Sequence, residues 1–364
     1  MAKTIWILAG ESSGDVYGAR LAAMLRELAS DVALRGMGGE AMREAGVDIL
    51  VDSTHLGIVG FVEVLKHLPM FLRIKRDLVQ RAIAERPDCV VLIDYPGFNL
   101  RFAEAMHAAG IRVVYYICPQ VWAWGRHRIP KIAKIVDKLL AIFPFEPAVF
   151  EGTGLDIEFV GHPLIEIVDE ARDPALVRDP ATILLLPGSR INEVNRLLQP
   201  ILDTAIWLAE RHPEIHFVLP APNRLIGDHV EARIEARRQK RNLPPLPEID
   251  VEIGGTRKWF QVADAGLAAS GTVTVEAAMA GLPLVVVYRL NWLSHLIARR
   301  LVKIPFFTMV NLVVKRRVFD EYLQGDVRAP ILGPAMEGIM RGGARRAEVE
   351  AGIQKMVEAL GGHE

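Results

Sequence analysis

Ala265-Gly-Leu-Ala-Ala-Ser-Gly-Thr-Val-Thr-Val-Glu-Ala-Ala-Met-Ala-Gly-Leu-Pro-Leu-Val-Val-Val-Tyr288 is the most lipid-like window of the chain, and its reading decides the fold. It carries one charge, Glu276, near its centre. In a transmembrane helix that carboxylate costs about 2.5–3.5 kcal/mol. Ser270, Gly271, Thr272, Gly281 and Pro283 punctuate the run. The window is therefore expected to be a buried strand, a helix and a second buried strand. Near-continuous apolar runs of this kind suit parallel strands covered on both faces.

The same pattern extends in both directions. Upstream, strands are expected at 4–9, 31–35, 89–93, 112–117, 138–142 and 156–159, with helices over 14–28, part of 56–85 and 98–109. A second series has strands at 182–186, 216–219, 250–253, 265–269 and 284–287, separated by helices near 192–211, 225–241, 256–262 and 272–280. Two runs of βα units predict two doubly wound α/β domains. Pro163, Asp169, Asp173, Pro174 and Pro180 mark a connector. The division expected is 1–170 and 171–342, with a terminal helix near 343–364 able to pack back on the first domain.

Composition supports this reading. A chain of 364 residues, 51% hydrophobic and 24% charged, has room for two cores, and that balance excludes a disordered chain. Lys plus Arg is 43 against 44 Asp plus Glu, so no nucleic-acid partner is expected. Only Cys89 and Cys118 are present, which excludes a disulfide framework and points to a reducing cytoplasm. The first apolar run, Ile5–Ala9, is too short for a signal peptide.

Open parallel sheets bind ligands beyond the carboxyl ends of their strands. Those ends carry Gly10-Glu-Ser-Ser-Gly-Asp15, Asp94-Tyr-Pro-Gly-Phe-Asn99, Cys118-Pro-Gln-Val-Trp-Ala-Trp124, Pro187-Gly-Ser-Arg190 and Ser270-Gly-Thr-Val-Thr-Val-Glu276. Glycine-rich and polar loops in both domains imply a ligand cleft between two facing halves.

Each loop admits two readings. Gly188, Ser189 and Arg190 enter a helix, and so do Ser270, Gly271 and Thr272. Free N–H groups and a guanidinium suit a diphosphate; the plainer reading is a tight βα turn with a surface arginine. Glu276, a helical turn past Thr272, either accepts from a ribose diol or sits in an ion pair. Gly10, Glu11, Ser13, Gly14 and Asp15 lack both the Walker ending and the dinucleotide pattern; they approach a sugar or form a capped turn. Asp94, ending an apolar strand, is a candidate general base whose burial raises its basicity, or else an N-cap. His162 is a second candidate base or a hinge residue bonded to backbone. Trp122 stacks on a ligand or belongs to the core. No metal-binding pattern is present and no cofactor is expected, which leaves cationic and amide groups to stabilise a departing diphosphate.

Leu56 to Arg76 combines apolar and basic residues. Ile58, Phe61, Val62, Leu65, Leu68 and Leu72 follow helical spacing, Phe71 widens the face, and Lys66, Arg73, Lys75 and Arg76 interleave with it. Such a segment lies in lipid headgroups or forms a core helix with a basic edge.

Together these residues resemble the lipid A disaccharide synthase family. The matching motifs, in order, are Gly10-Glu-x-Ser-Gly-Asp15, Ile93-Asp-Tyr-Pro-x-Phe-Asn99, Pro119-x-Val-Trp-Ala-Trp124, Phe143-Pro-Phe-Glu146, Val160-Gly-His-Pro163, Leu186-Pro-Gly-Ser-Arg190 with Glu193-Val194, Ser270-Gly-Thr-x-Thr-x-Glu-Ala277, Tyr288-Arg289 and Val302-Lys-x-Pro305 to Asn311-Leu312. The resemblance implies a GT-B glycosyltransferase, with two facing Rossmann-like doubly wound parallel-sheet domains, inverting and metal-independent. Its implied reaction joins UDP-2,3-diacylglucosamine to 2,3-diacylglucosamine 1-phosphate, giving a β-1,6-linked disaccharide 1-phosphate and UDP. A UDP-sugar epimerase and a non-catalytic lipid- or nucleotide-binding protein are the rival expectations.

The resemblance makes Asp94 and Arg190 catalytic. The wider reading adds Asn311, Glu321 and Gln324 to the donor site, and Gly10 to Asp15 with Trp122 to the acceptor side. The resemblance also implies peripheral attachment to the cytoplasmic face of the inner membrane through about 58–72, and a possible homodimer. Two positions depart from the family pattern: Asp320 stands in place of a proline before Glu321-x-x-Gln324, and Val310 in place of one before Asn311. Both leave the local loop geometry open.

Overall fold

The computed structural model describes residues 3–54, 61–240, 242–290 and 304–361, with backbone alone for 61–68 and 124. The chain divides into two compact units, Met1–Gly161 and His162–Glu364.

The first unit is built on a seven-stranded sheet in the order β3-β2-β1-β4-β5-β6-β7. Its strands are β1 (Thr4–Ala9), β2 (Ala33–Gly38), β3 (Asp48–Asp52), β4 (Cys89–Ile93), β5 (Val113–Tyr116), β6 (Lys138–Ala141) and β7 (Asp156–Phe159), all parallel. Strand order reverses between β1 and β4, so the chain leaves these neighbours in opposite directions and opens a crevice at their carboxyl ends. Ala9 pairs with Ile93, which sets Gly10 beside Asp94, one residue past the paired ends. Trp6, Leu8, Leu92, Phe102 and Tyr115 are fully buried in the core around this point.

The second unit holds a six-stranded parallel sheet in the order β10-β9-β8-β11-β12-β13. Its strands are β8 (Asp179–Leu186), β9 (His216–Ala221), β10 (Ile249–Ile253), β11 (Ala263–Ala269), β12 (Leu284–Tyr288) and β13 (Asp320–Leu323). The apolar window Ala265–Tyr288 holds most of β11, a helix over Thr272–Met279, and β12. All of β11 is buried, as a strand covered on both faces should be. Here the order reverses between β8 and β11, and Leu186 pairs with Ala268. The loops after these two strands carry Pro187–Arg190 and Ser270–Thr272.

Three points differ from expectation. The boundary falls at 161/162, ahead of the helix Leu164–Glu170, which packs on Thr272–Met279. The terminal helix, Arg346–Ala359, belongs to the second unit, where it packs on Thr272–Met279 and on the helix Met309–Val314. Two edge strands, β3 and β13, were not foreseen, because Asp48-Ile-Leu-Val-Asp52 and Asp320-Glu-Tyr-Leu323 are short and carry charges at their ends. Among the described residues no helix is long and apolar enough to cross a membrane.

Candidate active site

At the reversal point of the second sheet lies a cavity of about 680 Å³, lined by Leu186–Arg190, Glu193, Leu219–Pro222, Ile226, Gly254–Lys258, Ala269–Val273 and Glu276. Two helices begin in its wall, Ile191–Ala209 and Thr272–Met279. The first N–H groups of a helix have no acceptor within it and carry its positive dipole end. Gly188 adopts φ +119°, and a Cβ there would come within 2.7 Å of Glu193, so the turn requires glycine. Its neighbours Ser189, Arg190, Gly271 and Thr272 are exposed.

These donors are partly engaged. The Ser189 N–H donates to Glu193 Oε2 at 3.2 Å, and Arg190 donates to Glu193 Oε1 at 3.2 Å. Arg257 donates to Glu276 Oε1 at 2.5 Å. Glu276 therefore lines the cavity but is ion-paired there, the second of its two expected states. The pair engages Oε1, which leaves Oε2 as the acceptor for a ribose hydroxyl.

At the reversal point of the first sheet, Asp94 and Tyr95 both stand in the left-handed region, at φ 45° and 48°. The Asp94 side chain is partly buried. Burial, and next the negative charge of Glu11, push its carboxyl up to about 6. An aspartate so placed is ionised at neutral pH yet far more basic than one in water, which suits a general base. Gly10 lies under the Tyr95 ring, where a Cβ would come within 2.1 Å of Cδ1.

A family model described as lipid-A-disaccharide synthetase matches residues 5–363. The chain belongs to that family. It is 35% identical over 367 residues to the lipid-A-disaccharide synthase of Syntrophotalea carbinolica, covering 99% of this chain and 92% of the relative. It is 39% identical over 364 residues to that of Koribacter versatilis, covering 98% and 93%. Among solved structures, the glycotransferase of kitacinnamycin superposes with a TM-score of 0.62 at 15% identity, over 99% of this chain and 96% of that one. A UDP-GlcNAc 2-epimerase from Neisseria meningitidis bound to UDP-GlcNAc does so with 0.61 at 12%, over 97% and 94%. At such identities these two show the fold alone, which is GT-B. The family match makes the chain a glycosyltransferase of lipid A biosynthesis and disfavours both rival expectations.

Several residues expected at the site have other work. Asp15 is buried, and its carboxylate accepts from the N–H groups of Gly39, Ala41 and Met42 at 2.6, 3.0 and 3.2 Å. It caps the helix Glu40–Glu44. Gly14 is buried in the helix Ser12–Leu28, while Glu11, Ser12 and Ser13 remain accessible. Trp122 is core: its ring meets Phe145 edge-on, and its indole N–H donates to Glu146 at 3.3 Å. His162 is buried and its Nδ1 accepts from the Leu164 N–H; burial lowers it to about 4, so it is neutral and bonded to backbone.

The expected donor-site trio is a structural knot. Asn311 is fully buried; its Nδ2 donates to the Phe319 carbonyl and to Glu321, and its Oδ1 accepts from the N–H groups of Val318 and Phe319. Glu321 also accepts from the Phe307 N–H and from the N–H and hydroxyl of Thr308. Gln324 exchanges two hydrogen bonds with the backbone of Leu290. These side chains satisfy backbone groups of an irregular segment; Asn311 has no hydrogen-bonding capacity left over, whereas Gln324 keeps one N–H and one lone pair. Asp320, at the departure from the family pattern, pairs with Arg317 at 2.9 Å and with Arg345.

Of the expected lipid-facing residues, Ile58 lies outside the described residues, as do the side chains of Phe61, Val62, Leu65 and Leu68. Leu72 is 49% exposed and so is consistent with that face. Phe71 instead packs against the core.

Sequence reasoning also passed over Glu146, which is buried and accepts from the N–H groups of Ile142 and Phe143 as well as from Trp122. Burial raises it to about 7. Its signal was its place in the Phe143–Glu146 motif. Glu193 and Arg257, which hold the cavity's charged groups, were not singled out for those roles either.

Proposed function

We propose that this enzyme condenses UDP-2,3-diacylglucosamine with 2,3-diacylglucosamine 1-phosphate, with Asp94 as general base and Arg190 in the diphosphate site. The observation that carries these roles is the pairing of chemistries at the two reversal points: a carboxylate of raised basicity in one sheet, and a cavity with two helix N-termini and an arginine in the other. The acceptor's 6′-hydroxyl loses its proton to Asp94 as its oxygen attacks the anomeric carbon opposite UDP. The bond to the β-phosphate oxygen breaks through an oxocarbenium-like state. Arg190 and the N–H groups of Ser189, Gly271 and Thr272 take up the charge that develops on UDP. Tested with both diacyl sugars, the enzyme should release UDP only when acceptor is present, and mass spectrometry should show the disaccharide 1-phosphate. UDP-sugar converted to an isomer without acceptor would contradict this.

Glu193 occupies the very donors assigned to the diphosphate, so it must let go of them when UDP binds. Glu193→Gln keeps a hydrogen-bond acceptor at the helix start but removes the competing charge. The variant should bind UDP tighter by up to about tenfold, the scale of one charge-assisted hydrogen bond. Calorimetric titration measures this; unchanged or weaker binding would show that Glu193 does not compete.

Membrane attachment is proposed for the helix Phe61–Glu85. Met70 and Leu72 are 42% and 49% exposed there, and the side chains of Arg73 and Arg76 are open beside them. Apolar groups among cations suit an anionic headgroup layer. Replacing Met70 and Leu72 together by Ser should cut co-sedimentation with anionic vesicles severalfold at unchanged UDP affinity. Undiminished sedimentation would remove this helix from the contact.

A further inference from the structure

We propose that Asn99 and Tyr115 are positioning residues that clamp the backbone of Asp94 and so aim its carboxylate; this rests on Asp94 being the base. Consecutive left-handed residues are disfavoured outside glycine, and here they are Asp94 and Tyr95. Something must hold them. The Asp94 N–H still donates to the Tyr116 carbonyl as in a strand, at 3.0 Å. Past that point the chain turns, and the Asp94 carbonyl meets two buried donors: the Tyr115 hydroxyl at 2.7 Å and Asn99 Nδ2 at 2.8 Å. Both side chains are fully buried.

Asn99 Nδ2 also reaches the carbonyls of Ile93 at 3.1 Å and Leu8 at 3.4 Å. It thus ties together the ends of β4 and β1, the two strands between which the sheet reverses. Its Oδ1 is buried without a partner among the described residues. The amide is therefore oriented by the carbonyls it serves, not by anything that binds its oxygen. An inward carbonyl left without donors would be costly, so the turn that presents the carboxylate and the two donors that satisfy it form one device. In Asp94-Tyr-Pro-Gly-Phe-Asn99 the first and last polar residues would act together, the first on substrate and the last through the first.

Tyr115→Phe keeps the buried ring and removes only the hydroxyl. With Asn99→Ser as a second variant, kcat should fall between about 10- and 100-fold, the cost of a misplaced catalytic group. KM for both sugars and UDP affinity should hold. The acid limb of kcat/KM, which reports the free enzyme, should move below its wild-type position near pH 6 as the freed carboxylate finds water. Asp94→Asn is run alongside. If Asp94→Asn retains wild-type turnover, the base assignment fails and the clamp with it. If Asp94→Asn is inactive while Tyr115→Phe keeps both the wild-type kcat and acid limb, the base stands and the clamp is overturned. A loss matched by an equal loss of UDP affinity would also overturn it, as general damage to the fold.

Discussion

Asp94→Asn lowers kcat by about 10²–10⁴-fold, the contribution of a positioned general base, while donor affinity stays near wild type. The same substitution stabilises the fold above pH 6. The folded carboxyl is raised to about 6 from the ordinary 3.8, mainly by burial. A group raised in this way binds its proton more tightly when folded, so its ionised form is a cost to the fold at neutral pH and above. That cost shrinks as pH falls through 6 towards 3.8. Asparagine never carries it. The gain at pH 8 is at most about 3 kcal/mol, from 1.36 kcal/mol per pKa unit. Thermal unfolding of both proteins at pH 8 and pH 4 checks this: the variant's midpoint is higher at pH 8 and the difference nearly vanishes at pH 4. Loss of activity with greater stability is a signature that damage to the fold cannot produce. Equal midpoints at pH 8 would mean the carboxylate is well solvated and not raised.

Arg190→Ala costs about 10²–10³-fold in kcat/KM, the scale of removing one preorganised donor to a developing charge. Arg190 precedes the 19-residue helix Ile191–Ala209 as its N-cap in extended conformation, so its loss leaves the helix dipole in place. Its side chain is 59% exposed and pairs with Glu193, an exposed contact it can exchange for a phosphate. Steady-state kinetics with varied UDP-sugar measures the effect. Arg190→Lys recovers part of it, because an ammonium supplies charge without the bidentate fork. Wild-type kinetics in Arg190→Ala would place the diphosphate elsewhere.

The positions of both residues were legible in the sequence because Asp94 directly follows β4 and Arg190 lies in the short loop after β8, and both strands end in uninterrupted apolar runs. Thr4–Ala9 and Cys89–Ile93 fell where expected, and so did the loops that follow them. The residues whose present partners were not legible were polar ones in irregular segments. Asn311, Glu321 and Gln324 have the composition of a ligand site, yet they satisfy backbone groups between β12 and β13. Asp15 does the same for the helix Glu40–Glu44. Sequence cannot separate these uses, because a carboxylate accepts equally well from a ribose or from a peptide N–H. The edge strands β3 and β13 were missed because half-exposed strands need not be apolar. The clamp on Asp94 lay hidden for another reason: Tyr115 sits inside an ordinary strand pattern, and its reach to a neighbouring strand's carbonyl exists only in the folded sheet.

The pocket between β8 and β11 is proposed to grip a nucleotide diphosphate. A crystal structure of the enzyme with UDP tests it most directly. Phosphate oxygens are expected within hydrogen-bond distance of the Arg190 guanidinium and of the N–H groups of Ser189 and Thr272, with Glu193 turned away. UDP seated with its phosphates remote from all three would contradict it.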